Sequence, residues 1–155
     1  MKRAMIAVLL FTALAGVAGA QTSHKSKPWQ VSISPTSSDS VGQAFIYAVK
    51  EQLNRSTTFA YTTDTATSLN LSMLTVNADT GDDDNNNHSA AVSIVLVGKR
   101  SGELDWFMDQ WIFVVGKNRV DEMAKDVLVH LNYDVDRLQK LTDSIPTDNP
   151  QISRN

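Results

Sequence analysis

The chain has no cysteine. That excludes disulfide staples, thiolate nucleophiles and a lipid-modified cysteine after a leader, so stability must come from core packing. Histidine is scarce too: His24, His88 and His130 fall in a predicted linker, a loop and a helix. None of them forms a His-Glu-x-x-His pair, and zinc is not expected. Glycines number seven, and Gly98 and Gly102 flank a turn without the spacing of a phosphate or dinucleotide loop. A Gly-x-Ser-x-Gly elbow and a Ser-x-x-Lys motif are also missing. The common routes to nucleophilic and phosphate chemistry are therefore closed, and no cofactor is expected.

No apolar run is long enough to span a bilayer; the longest, residues 4–15, follows the basic Met1-Lys2-Arg3 and reads as a signal peptide. Ala18-Gly19-Ala20 supplies the small residues a signal peptidase reads. The expected division is a cleaved signal over 1–20, a polar linker over 21–28, a single domain over 29–142 and a disordered tail over 143–155. Loss of Lys2 and Arg3 leaves twelve basic against seventeen acidic residues, a charge of about −5. A chain so charged repels phosphate backbones, so nucleic acid is not an expected partner, and no stable membrane anchor is expected.

Along the domain, Trp29 to Ser34 alternates apolar and polar as a strand does, ended by Pro35. Ser40-Val41-Gly42-Gln43 is a capping box that should start a helix running to Arg55 on the stripe Val41, Phe45, Ala48, Val49 and Leu53. Phe59-Ala60-Tyr61 is a possible short extended piece. Strands are then expected from Ser68 to Val76, around Ala91 to Val97, and from Leu104 to Val115, as an antiparallel meander. Asn118 should cap a second helix, with Val120, Met123, Ala124, Val127, Leu128, Leu131, Val135 and Leu138 as its stripe. The order β-α-β-β-β-α predicts an α+β two-layer sandwich: a mostly antiparallel sheet of four to five strands with two amphipathic helices on one face.

Three places hold candidate chemistry. Gly81 to His88, written GDDDNNNH, is rich in oxygens, with Asp82, Asp84 and Asn86 as candidate cation ligands. Neither register gives an EF-hand glycine and glutamate, so the stretch reads as a polar connection within the loop over 79–88. Asp105 and Asp109, about 13 Å apart on one predicted strand, are the carboxylates that a hydrolase or small-ligand protein would use. Asp134 and Asp136 read as a solvated helix surface with Arg137 and Lys140. Finally, Trp106, Phe107, Trp111 and Phe113 load both faces of the last strand. If the helices cover one face only, the other presents an apolar patch of the kind that binds a partner. The expected function is that of an exported, soluble, non-catalytic small domain of the bacterial cell envelope, periplasmic or secreted, that binds an envelope protein.

Overall fold

A computed structural model describes residues 27–66, 69–79, 87–99 and 104–144. The signal peptide, the candidate ligands Asp82, Asp84 and Asn86, and nearly all of the expected tail lie outside the described residues. The elements are β1 (Trp29–Ser37), α1 (Ser40–Arg55), β2 (Phe59–Tyr61), β3 (Leu69–Asn77), β4 (Ser89–Gly98) and β5 (Trp106–Gly116). A single 3₁₀ turn at Lys117–Arg119 then leads into α2 (Val120–Asp143).

The fold is α+β, with both helices on one face of an open, mostly antiparallel five-stranded sheet of order β2-β1-β3-β4-β5. The meander β3-β4-β5 is antiparallel, and β1 runs parallel to both of its neighbours. α1 therefore serves as the crossover that carries the chain from β1 to the parallel strands beside it, as parallel pairing requires.

Period decides the layers. Every second residue of β4 (Ala90, Val92, Ile94, Leu96) is buried, beside Leu71 and Met73 of β3 and Trp111 and Val115 of β5. Against them α1 buries Val41, Phe45, Val49 and Leu53, and α2 buries Ala124, Val127, Leu131 and Val135. Each buried Val, Leu, Ile, Phe or Met among them contributes roughly 1.5–3 kcal/mol of burial, the two alanines less. α1 touches all five strands, whereas α2 rests on α1 and, of the strands, chiefly on β5.

Three boundaries differ from the sequence expectation. β1 continues through Pro35 to Ser37; β2 pairs only with Trp29, Gln30 and Val31, so Pro35 sits where β1 has become an edge, a position that tolerates a missing N–H. α1 is capped one residue earlier than the capping box suggests. Asp39, not Ser40, takes the extended cap conformation and accepts from the Gly42 N–H. Asn118 lies inside the 3₁₀ turn, and α2 starts without a side-chain cap. Arg119 and Glu122 form an exposed ion pair across that turn at 2.9 Å, a contact that solvent screens.

Candidate functional site

A β-bulge decides where the aromatic residues go. Strict alternation would put Phe107, Asp109, Trp111 and Phe113 on one face and Trp106 with Ile112 on the other. The register instead shifts between Leu96 and Val97: Leu96 pairs with Asp109, while Val97 pairs with Phe107 and Gly98 with Trp106. Met108 is the extra residue, and the two aromatics before it exchange faces. Trp106 thereby lands on the helix side, its indole against Gly98, where an added Cβ would come within 2.0 Å of the ring.

The four aromatic candidates are therefore not brought together. Trp111 is buried on the helix face, its ring 5.4 Å from His130 of α2. Phe113 packs edge-on against Phe45 of α1 at 5.7 Å. Only Phe107, 66% exposed, lies on the uncovered face.

That uncovered face nevertheless carries an apolar patch. The pairing aligns Leu74, Ser93 and Ile112 in one row and Val76, Ala91 and Val114 in the next. Leu74, Val76, Ile112 and Val114 are between 46% and 74% exposed. Because the middle strand contributes only Ser93 and Ala91, the rows form a shallow trough along β4 between ridges on β3 and β5. The trough is about two strand spacings, or ~10 Å, across. Toward β1 the face turns polar and is no longer open, since Asn70 and Ser32 are at most 4% exposed and the Asn70 amide donates to the Ser32 and Ser34 hydroxyls at 3.0 Å each. A row of Ser72, Val95 and Gln110 separates the trough from Phe107 and Val97.

The second feature is a carboxyl pair at the seam of β5 and α2. Asp109 is held on the helix face, its Oδ2 accepting from the Trp111 indole N–H at 3.1 Å and its Oδ1 from the Gln110 N–H at 2.7 Å. Within hydrogen-bonding reach lies Asp134 of α2. Two ionised carboxylates cannot donate to one another, so this contact becomes a hydrogen bond only when one of them holds a proton. Asp134 is 94% buried, and its Oδ2 has no hydrogen-bond partner. Burial, then the Asp109 charge, pushes the Asp134 carboxyl above the usual range, opposed by His130 and Arg137.

The solvated surface expected for Asp134 is thus corrected: it sits under β5. The signal was present in the sequence, because Val127, Leu131, Asp134 and Leu138 follow one another at helical stripe spacing. Asp105, the expected companion of Asp109, instead pairs with Lys99 at 3.5 Å near the surface. Beside Asp134 opens a cleft of about 210 Å³ walled by Trp106, Phe107, Met108, Leu138 and Leu141, with Arg137 also lining it.

At the loop over 79–88, the Asp79 carboxylate accepts from the His88 and Ser89 N–H groups and from the Ser89 hydroxyl. Those bonds hold its carboxyl below the ordinary value, the Ser89 hydroxyl contributing most. Asp79 thus acts as the clasp at the base of the β3-β4 connection. Among the described residues no three acids or histidines are placed to hold a metal ion, and no helix is long and apolar enough to cross a membrane. Comparison with protein-family models, curated proteins and solved structures finds no match to this chain.

Proposed function

We propose that this is an exported, non-catalytic module of the cell envelope that binds a partner protein through the uncovered sheet face. The observation that carries the reading is the trough along β4, with four exposed aliphatic residues in two aligned rows and a polar seam on its β1 side. Contiguous apolar patches of this kind mark interaction sites. Its breadth of about 10 Å matches the diameter of an α-helix, so the partner element that fits is an amphipathic helix laid along β4, its larger side chains over Ala91 and Ser93.

β5 adds a second recognition element. It is an edge strand of eleven residues, and from Gln110 to Gly116 it has neither charge nor proline to discourage pairing.

A photo-reactive residue in place of Val114 tests the reading in cells that export the chain. A partner adduct is expected from that position, absent when Ile112→Asp is added, and absent from a probe at the exposed Tyr133 of α2. Equal adducts from Val114 and Tyr133 would overturn the proposal. Ile112→Asp, being at an exposed site, should shift the melt by no more than about 0.5 kcal/mol. Export has its own measurement: the mass of the protein recovered outside the cytoplasm should correspond to a chain beginning at Gln21, and an intact Met1 terminus there would contradict the cleaved leader.

A further inference from the structure

We propose that the cleft where β1, β3 and β5 begin and β4 ends binds a small aromatic carboxylate, its ring held between Trp29 and Trp106 and its charge met by Lys27 and Lys99. The cleft lies on the helix side of the sheet and the trough on the other, so neither site depends on the other.

The strand register builds this cleft. Val31, Leu69, Gly98 and Trp106 form one row across β1, β3, β4 and β5. Trp29 stands two residues before Val31 on the same side, packed against the core. Gly98 leaves a gap in the row, and the Trp106 indole lies over it while remaining 38% exposed. The strands of Trp29 and Trp106 are three spacings apart, or ~14 Å. Leu69 lies between them, and Leu138 of α2 closes the helix side. The space is about 340 Å³, at the small end of the range for ligand sites.

Charge sets this cleft apart. Among the described residues its wall contains Lys27 and Lys99 and no carboxylate, whereas four other clefts each have an Asp or Glu in theirs. In a chain with more acids than bases, a wall of that kind favours an anion. The Lys99 side chain is only 26% exposed, and its ammonium meets the half-exposed Asp105 at 3.5 Å. Its stem is thus covered while its charge stays near solvent, where a ligand carboxylate can replace Asp105.

The two indoles select the rest of the ligand. Tryptophan faces stack on flat rings, and Leu69 and Leu138 supply aliphatic cover. One ring or two fused rings carrying a single carboxylate therefore match both the walls and the charge. A cation of the same shape meets two lysines, and a neutral ring gains nothing from them. Asp105 competes with the ligand for Lys99, so it limits affinity from outside the wall.

The test titrates the full mature chain with sodium 2-naphthoate and follows the indole N–H resonances of its three tryptophans by NMR. Those of Trp29 and Trp106 should shift and saturate at millimolar naphthoate, while that of Trp111, bonded to Asp109, stays in place. Removing the charge from the ligand, as 2-naphthamide, or from the site, as Lys27→Gln with Lys99→Gln, should weaken binding about tenfold or more. Asp105→Asn should tighten it, a gain that damage to the fold would not produce. No saturable shift, an equal shift of Trp111, equal affinity for 2-naphthamide, unchanged affinity in the double variant or weaker binding in Asp105→Asn would each overturn the proposal. Cyclohexanecarboxylate binding as tightly as naphthoate would overturn the assignment to an aromatic ring.

Discussion

Asp39→Ala is expected to lower stability by about 2–4 kcal/mol, the sum of a lost helix cap and of buried donors left without an acceptor. Asp39 is a connection between layers. It is 95% buried at the head of α1, where Oδ1 accepts from the Gly42 N–H at 2.5 Å and Oδ2 from the Thr75 hydroxyl of β3 at 2.8 Å. Ser37 Oγ lies 2.7 Å from the same Thr75 hydroxyl, so one carboxylate ties β1, β3 and α1 together. Gly42 permits the close approach, since a Cβ there would stand 1.9 Å from Thr75 Oγ1. Denaturant unfolding should show the midpoint falling with its slope unchanged. Asp39→Ser, which can still cap, should recover part of the loss. A midpoint shift of under about 0.5 kcal/mol in Asp39→Ala would show that the Thr75 contact carries no weight.

Asp134→Asn has the opposite sign: the variant should be more stable than the natural chain at neutral pH, by roughly 1–3 kcal/mol. The Asp134 carboxyl is raised in the fold by burial and then by Asp109, so the folded state favours the neutral acid. A group raised in this way lends its full support below the unfolded value near 3.8. That support is lost as pH climbs through the folded value. Asparagine offers Asp109 a permanent N–H donor and no charge. Its melting temperature should therefore exceed the parent's by several degrees at neutral pH and converge with it in acid. A variant less stable than the parent at neutral pH would mean that the ionised form is the better partner at this seam.

The periods of the sequence made most of the fold legible. The stripe from Val41 to Leu53, the stripe from Val120 to Leu138 and the alternation in β3 and β4 each name their own buried face, because burial follows the element's repeat directly. Where those repeats break, the reading breaks with them. A bulge is a property of two paired strands, so nothing local to Trp106-Phe107-Met108 announces that the alternation resets there. The candidate patch therefore moves from the aromatic residues to Leu74, Val76, Ile112 and Val114. Trp111 and Phe113 are consumed by packing on His130 and Phe45. The carboxyl pair was half visible: Asp109 stood out as a charge in an apolar strand, but its companion comes from α2, twenty-five residues later in the chain. Only tertiary packing selects Asp134 over Asp105, the nearer acid in sequence.

The strand order also sets a sequence of assembly. β3, β4 and β5 pair with neighbours along the chain, so the meander closes short loops and can form early. β1 must wait, because its partner β3 lies across α1, with Asn70 and Ser32 thirty-eight residues apart where their side chains meet. A chain synthesised N-terminus first presents β1 before either strand that flanks it has been made. Until β3 arrives, the alternating apolar residues of Trp29 to Ile33 travel unpaired, and α1 has no sheet to lie on. The interval between emergence and closure of β1 against β3 is then the period in which a holding chaperone would matter most, and it ends with the crossover rather than with the last helix.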